Sequence, residues 1–200
     1  ASALGFIFYK GSKRYVSPSS LYWLNSLSND VKRVGVFVNE KVNIVNSISE
    51  DLRLDYVQLH GNESAQYCSQ ILKPIIKAIH VNKDVDNLKI SDYKVFALLF
   101  DNYEKGILGG TGKTFDWNLI SSLNSSCPII LSGGLNSENI VSGIKIVHPN
   151  AVDVNSGVES SIGVKDSNKI IRNPLRIILG SILTSRTGFQ LNNIKSIERE

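Results

Sequence analysis

Short apolar runs recur along the chain, and most of them carry an apolar side chain at nearly every position. Runs of this kind are typical of parallel β-strands whose two faces are both covered by other elements. The pattern predicts seven strands, which span Ala3–Tyr9, Arg33–Asn39, Tyr56–Gly61, Pro74–Val81, Lys94–Asp101, Pro128–Gly134 and Ala151–Gly157.

Segments with helical periodicity separate the predicted strands, because apolar residues return there every three or four positions. Such segments follow Ser17-Pro18, a favourable helix start, and also Asn39-Glu40 and Leu135–Glu138. Strand and helix therefore alternate along the chain, and this alternation predicts an α/β fold with a parallel sheet.

The positions of the glycine-rich turns distinguish between two parallel architectures. A doubly wound sheet would carry its glycine-rich turn after the first strand. Here the turns come late, at Gly109–Gly112, Gly133-Gly134 and Gly157. A TIM (β/α)8 barrel commonly binds phosphate with the loops after its last two strands, which is where the last two of these turns fall. We therefore predict an incomplete TIM barrel that lacks its first strand and helix.

Both ends of the chain depart from the alternation. The chain has no methionine and opens inside a predicted strand, so we expect that its beginning is missing. Pro174 should stop the last helix, and Leu175–Leu183 then has the composition of one more strand. That strand either fills the empty first position of the barrel, as in a circular permutation, or belongs to a foreign extension, which the pattern favours. We predict a barrel over residues 1–172 and leave 173–200 as an unassigned tail.

Composition and charge narrow the class of protein. A hydrophobic content of 42% is ordinary for a globular chain and too high for a disordered one. The net charge is +4, and the basic residues are spread along the chain, so no nucleic-acid partner is indicated. The apolar runs are too short to span a membrane, and we expect a cytoplasmic protein, or a plastid protein if the source is a plant or alga. Two cysteines, Cys68 and Cys127, make neither a disulfide framework nor a zinc site.

Asp101 and the glycine-rich run after it carry the strongest chemical signal. Asp101 ends a buried strand, where a carboxylate is a candidate acid or base, or else a turn or cap residue. A partly dry pocket would raise its pKa and keep it protonated. The run Gly109–Gly112 can surround an anion with backbone N–H groups, which indicates a small phosphorylated substrate. The run resembles a P-loop at Gly112-Lys113-Thr114, but Ile107 stands where that motif requires glycine.

Six sequence blocks, in the same order, resemble one enzyme family. They are GFIFYKGSKRYVSP (Gly5–Pro18), RVGVFVNE (Arg33–Glu40), VQLHGNES (Val57–Ser64), GGTGKTFDW (Gly109–Trp117), LSGGLNSENI (Leu131–Ile140) and AVDVNSGVE (Ala151–Glu159), and GVKDSNKI (Gly163–Ile170) follows them. The family is phosphoribosylanthranilate isomerase, and the resemblance covers residues 1 to about 172.

The resemblance implies a (β/α)8 enzyme of tryptophan biosynthesis. Such an enzyme carries out the Amadori rearrangement of N-(5-phosphoribosyl)anthranilate to 1-(2-carboxyphenylamino)-1-deoxyribulose 5-phosphate. The resemblance implies no metal and no organic cofactor, and a phosphorylated small molecule as the substrate. Fusion to, or association with, other enzymes of the tryptophan pathway stays open.

The resemblance assigns the general acid to Asp101, but it leaves the general base unassigned. In the family the base is a cysteine in a Lys-hydrophobic-Cys-Gly motif on the first strand, and this sequence has no such motif. Cys127 precedes a predicted strand and Cys68 lies in a helical stretch, so neither is expected at the catalytic end of the barrel. If the tail filled the first position, Leu179-Gly180 would stand where Cys-Gly belongs. We expect the chain as given to be inactive, and a non-catalytic phosphate-binding barrel is the alternative.

The remaining candidate residues follow from the same resemblance, each beside a purely structural interpretation. Arg14 would hold the substrate carboxylate, His60 would orient the substrate, and Asp153 would contact the anthranilate half. A solvated loop arginine, a hydrogen-bonded core histidine and a satisfied buried aspartate are the structural alternatives. Backbone N–H groups would bind the phosphate, and they belong to Gly110, Gly133, Gly134, Ser156 and Gly157.

Overall fold

The structure is a computed structural model, and it describes residues 1–26, 30–81, 90–102, 114–123, 125–171 and 177–179. All seven predicted strands are present. Most of them end before their apolar run does, because the last residues of each run turn into the loops above the sheet. The strands are β1 (Ala3–Ile7), β2 (Lys32–Phe37), β3 (Tyr56–Leu59), β4 (Ile75–Val81), β5 (Ala97–Asn102), β6 (Ile129–Leu131) and β7 (Ala151–Val154).

These strands pair in parallel with their neighbours in chain order, and the sheet closes into a barrel. The strand that closes it, Ile177–Leu179, lies between β7 and β1 and is parallel to both. The prediction of a TIM barrel is confirmed. The tail was expected outside the barrel, and for residues 177–179 this is wrong. Two neighbouring sheet edges with unpaired N–H and C=O groups accept an apolar strand in the gap between them.

Helical segments connect the strands. The α-helices are α1 (Val42–Asp51), α2 (Ala65–Cys68), α3 (Asn118–Ser121), α4 (Ile140–Val147) and α5 (Ser167–Ile171). The segment after Ser17 is not an α-helix as predicted but two short 3-10 helices, Pro18–Ser20 and Tyr22–Ser26. After β7 come another 3-10 turn, Ser156–Val158, and an antiparallel hairpin formed by β8 (Glu159–Ser161) and β9 (Val164–Lys165), so the closing strand is β10.

Alternation along the strands separates two apolar layers, because successive side chains of a strand point to opposite faces. On β5, Leu98 and Phe100 belong to the large cluster that packs against the helices. Ala97 and Leu99 belong to a smaller cluster, with residues from β1, β2, β4 and β6, that fills the barrel interior. The next side chain on the interior face of β5 is Asp101. The same period of two therefore carries an aspartate to the upper end of the interior.

In the part of the chain that the structure describes, no helix combines the length and the apolar character needed to cross a membrane.

Candidate active site

A cavity opens at the carboxyl end of the barrel strands, where TIM barrels place their active sites. Side chains from six strands or the residues just after them line it, and among them are Ile7, Gln58, Asp101, Ser132 and Asp153. The lower part of the barrel is packed with apolar side chains, whereas this end is polar. The site is therefore a polar layer that stands on a dry apolar base.

Asp101 is held by a buried hydrogen-bonded chain of three side chains. His60 Nε2 lies 3.0 Å from Asp101 Oδ2, and Gln58 Nε2 lies 3.1 Å from His60 Nδ1. The backbone N–H of Asn102 donates to Asp101 Oδ1 at 2.8 Å. When the Gln58 amide donates to Nδ1, the ring proton lies on Nε2 and points at the carboxylate.

These hydrogen bonds lower the pKa of Asp101. Burial by itself raises the pKa, but the hydrogen bond and the positive charge of His60, together with the Asn102 N–H, outweigh it. The sequence analysis expected a dry pocket to raise this pKa, whereas the contacts with His60 and Asn102 lower it.

His80 contacts His60 through a hydrogen bond and through its ring. Its Nε2 donates to the main-chain oxygen of His60 at 3.1 Å, and the two rings meet edge to face with centroids 5.2 Å apart. Burial, and then the neighbouring His60, lower the pKa of His80. Sequence reasoning assigned no role to His80 or Gln58. Two features of the sequence could have indicated them. His80 lies near the end of a strand next to the one that carries Asp101, and Gln58 lies two residues before His60 on the same face of β3.

Arg14 lines the cavity from the loop after β1, and it is engaged by a carboxylate of the chain itself. Its Nε donates to Glu159 Oε1 at 2.8 Å and its Nη2 donates to Glu159 Oε2 at 2.7 Å. Lys165 Nζ lies 3.1 Å from Glu159 Oε1 and also donates to the main-chain and side-chain oxygens of Asn155. Sequence reasoning missed Glu159 and Lys165, although both stand in blocks that carry the resemblance, because no local pattern shows that they meet Arg14.

The two cations decide the ionisation of Glu159. Burial raises its pKa, but Arg14 and Lys165 outweigh burial and hold the pKa below its usual value. Burial lowers the pKa of Lys165 more than Glu159 and Asp153 raise it. A buried carboxylate between two basic groups stays ionised, and it links the loop after β1 to the hairpin after β7.

Four of the five predicted phosphate-binding residues lie at the same rim. Gly133 and Gly134 have left-handed backbones, with φ of 85° and 64°, and they line the cavity with Ser156. Gly157 packs so closely on the main-chain oxygen of Leu135 that a Cβ would overlap it. Gly110 lies outside the described residues. Within the described ranges, no acceptor takes a hydrogen bond from the N–H groups of Gly133 or Gly134.

A family model for N-(5'-phosphoribosyl)anthranilate (PRA) isomerase matches residues 1–173. The chain belongs to the PRA isomerase family. A relative from Caldanaerobacter subterraneus subsp. tengcongensis, an N-(5'-phosphoribosyl)anthranilate isomerase, is 42% identical over 168 residues, which are 84% of this chain and 82% of the relative.

Solved PRA isomerases share the barrel. The phosphoribosyl anthranilate isomerase from Thermotoga maritima has a TM-score of 0.78 and 42% identity, with 85% of this chain and 84% of that chain covered. A PRA isomerase in complex with reduced 1-(o-carboxyphenylamino)-1-deoxyribulose 5-phosphate has a TM-score of 0.73 and 39% identity over the same shares. The family to which this chain belongs is therefore a family of isomerases.

The two cysteines and β10 bear on which residue could act as the base. Cys68 is buried in α2 and Cys127 precedes β6, so both lie away from the cavity lining. By resemblance, Leu179 stands where the family's cysteine belongs if the tail fills the first position of the barrel. Ile178 lies beside Asp153 and Ala3, whereas Leu179 lies beside Val154 and Leu4, which belong to the helix-facing layer.

Proposed function

We propose that this chain binds N-(5-phosphoribosyl)anthranilate in the barrel cavity, as a PRA isomerase of tryptophan biosynthesis. The single observation that carries the proposal is the buried pair of Asp101 and His60, which lines one cavity together with Gly133, Gly134 and Ser156. A proton donor and an anion-binding rim in the same cavity suit a small phosphorylated sugar. The names of the relatives support the same substrate.

The Amadori rearrangement needs an acid first. A proton must reach the ring oxygen of the ribose so that the bond between C1 and this oxygen breaks and an imine forms. A base then removes the proton from C2, and the resulting enol becomes the ketone of the product. Because its pKa is lowered, Asp101 is ionised and must take up a proton before it can act as this acid. His60 Nε2, which lies 3.0 Å from Asp101 Oδ2, is a donor within reach of that carboxylate.

The two ends of the substrate call for different partners. Glycine N–H groups approach phosphate oxygens closely, which assigns the phosphate to Gly133, Gly134, Ser156 and Gly157, and to Gly110 by resemblance. The carboxylate of the anthranilate half is assigned to Arg14, because a guanidinium binds a carboxylate through paired hydrogen bonds. Asp153 and His60 would contact the middle of the substrate.

The general base is the catalytic group for which this chain offers no candidate among the described cavity residues that the resemblance assigns. Neither cysteine lines the cavity, and the residue of β10 in register with Asp153 is Ile178, which cannot accept a proton. We therefore propose that the chain binds the substrate but converts it slowly or not at all. This observation favours, as the second candidate, a barrel that binds phosphorylated ligands without catalysis.

Calorimetry and a turnover assay test the proposal together. We expect the chain to bind the reduced product, 1-(2-carboxyphenylamino)-1-deoxyribitol 5-phosphate, far more tightly than it binds inorganic phosphate. We expect no measurable conversion of N-(5-phosphoribosyl)anthranilate. Absence of binding would refute the assigned site, whereas turnover at the rate of an ordinary PRA isomerase would refute the claim that the base is missing.

A further inference from the structure

Glu159 and Lys165 take no part in the chemistry proposed above, yet they occupy one side of the cavity arginine. A guanidinium has five N–H donors. Glu159 uses two of them, the Nε–H and one Nη2–H of Arg14. Among the described residues, no acceptor is bonded to Nη1 of Arg14, so the end of the fork, formed by Nη1 and Nη2, keeps three donors.

We propose that Glu159 and Lys165 are positioning residues that set Arg14 to receive the carboxylate of the substrate on this end edge. The inference rests on the proposed function. Glu159 takes the side edge of the guanidinium, and the plane of the fork is thereby fixed. The end edge then presents paired donors in the geometry that a second carboxylate needs.

The hairpin after β7 and the helix α5 that follows it both hold Glu159 in place. Glu159 and Lys165 are cross-strand partners of β8 and β9. Their side chains are 5% and 2% exposed, against 13% for Arg14. The main-chain oxygen of Glu159 also accepts a hydrogen bond from Lys169 Nζ at 2.7 Å. A carboxylate anchored through both its main chain and its side chain cannot follow Arg14 if the arginine moves, so it acts as a fixed support.

The charges of the group explain why a lysine is required. Arg14 and Glu159 alone are neutral, and a substrate carboxylate beside them would face the negative charge of Glu159. Lys165 cancels that charge, so the three side chains together carry one net positive charge next to the cavity. Because the group is largely shielded from water, this charge is felt by a bound anion more strongly than a surface charge would be.

Lys165 also links the carboxylate end of the site to the phosphate end. Its Nζ donates to the main-chain oxygen of Asn155 at 2.9 Å and to Oδ1 of the same residue at 2.7 Å. Asn155 directly precedes Ser156 and Gly157. The ammonium group therefore sets Arg14 through Glu159 and the phosphate loop through Asn155. It fixes the distance between the two anionic ends of a substrate.

Two ligands that differ by one group isolate this role. The first is the reduced product, and the second is the same compound with a phenyl group in place of the 2-carboxyphenyl group. Calorimetry with the wild type, Glu159→Gln, Lys165→Met, Lys165→Arg and the hairpin control Ser160→Ala gives ten dissociation constants. Ser160 is exposed in the same hairpin, so its variant reports on damage to the hairpin alone.

We expect the wild type to bind the carboxylated ligand more tightly than the phenyl ligand. Glu159→Gln and Lys165→Met should weaken the carboxylated ligand about tenfold or more and the phenyl ligand less than about twofold, as expected for a charged hydrogen bond that is lost. Lys165→Arg keeps the charge and should restore part of the difference. Ser160→Ala should change neither.

Several results would overturn the inference. Equal weakening of both ligands would mean that Glu159 is merely structural, and tighter binding by Glu159→Gln would mean that it competes with the substrate for Arg14. A wild type that binds both ligands equally well would overturn the inference with no variant needed, and it would leave the proposed function in place. A wild type that binds neither ligand would remove the proposed function and the inference together.

Discussion

At the scale of single residues, the site depends on which charge stands next to each buried group. Asp101 and Glu159 are both buried carboxylates, and burial alone would raise the pKa of each. Each has a basic neighbour within hydrogen-bonding distance, which reverses the direction. The ionised form of each is therefore favoured.

His60→Gln tests this for Asp101. The folded pKa of Asp101 lies below its unfolded value of about 3.9, so its contribution to stability is present above that pH and is lost as the pH falls through the folded pKa. Glutamine keeps a donor but removes the charge, so the pKa should rise and the free energy of unfolding should fall less between pH 5 and pH 2. Urea unfolding at a series of pH values measures this.

The matched control for that experiment is His148→Asn. His148 is exposed at the end of α4 with a φ of 50°, a conformation that asparagine tolerates. Its pH profile should coincide with that of the wild type. A His60→Gln profile that also coincides would show that His60 does not set the pKa of Asp101.

Gly157→Ala tests the contact between the two phosphate-site loops. The added Cβ would overlap the main-chain oxygen of Leu135, and a main-chain atom cannot move aside as a side chain can. We expect a loss of about 1–3 kcal/mol in the free energy of unfolding, together with weaker binding of the phosphorylated ligand. Gly11→Ala is the control, because its Cβ meets only the half-exposed ring of Tyr9, and it should cost less than about 1 kcal/mol. Equal effects would argue against a rigid contact at Gly157.

At the scale of elements, the buried ion pair between Lys77 and Glu63 fixes the loop after β3, which carries His60. Lys77 on β4 donates to Glu63 Oε2 at 2.9 Å and to the main-chain oxygen of Gly61 at 2.7 Å. Glu63 in turn accepts the N–H groups of Asn39 and Gly61. Lys77 Nζ also donates to the main-chain oxygen of Leu59 at 3.3 Å, so residues on both sides of His60 are tied to one lysine. The pair connects β2, β3 and β4 at the rim of the site.

Lys77→Met should destabilise the protein by about 3–5 kcal/mol, because it leaves the Glu63 carboxylate buried without its cation. The two side chains are 2% and 1% exposed. Adding Glu63→Gln should recover part of the loss. Lys32→Met breaks a pair whose lysine is 49% exposed, and it should cost less than about 1 kcal/mol in the same urea unfolding experiment. Similar losses in the two lysine variants would contradict this account of the buried pair.

At the scale of the whole molecule, the closed ring decides what the site contains. β10 separates β7 from β1 and pairs in parallel with both, so the ring of strands is closed at this point. In this pairing Ile178 is in register with Asp153, and isoleucine has no titratable group.

Ile178→Cys should give the chain isomerase activity if the proposed absence of a base is correct, because it puts a thiol, which can act as a base, on β10 in register with Asp153. An added general base is worth about 10²-fold or more in rate, and the gain should vanish when Asp101→Asn is added. The turnover assay with N-(5-phosphoribosyl)anthranilate measures it. Leu179→Cys is the matched control, one register position away beside Leu4 and Val154, and should stay inactive. Activity in Leu179→Cys alone would show that the register of β10 is displaced by one residue.

The sequence by itself determined the seven strands, their parallel order and the location of Asp101, His60, Arg14 and the turn at Gly133-Gly134 at one end of the barrel. These follow from local periodicity, and a strand's last residue reaches the same rim whatever surrounds it. The position of residues 177–179 was decided by the tertiary structure, because the unpaired edges of β7 and β1 form only when the sheet curls into a barrel.

The tertiary structure alone also decided the charges. The lowered pKa of Asp101 needs His60, which lies 41 residues away in sequence, and the orientation of Arg14 needs Glu159, which lies 145 residues away. No local pattern records such pairs, since they form only when the closing barrel brings distant loops together. Patterns along the chain specify which groups reach the site, whereas the contacts between loops specify the ionisation and direction of each group.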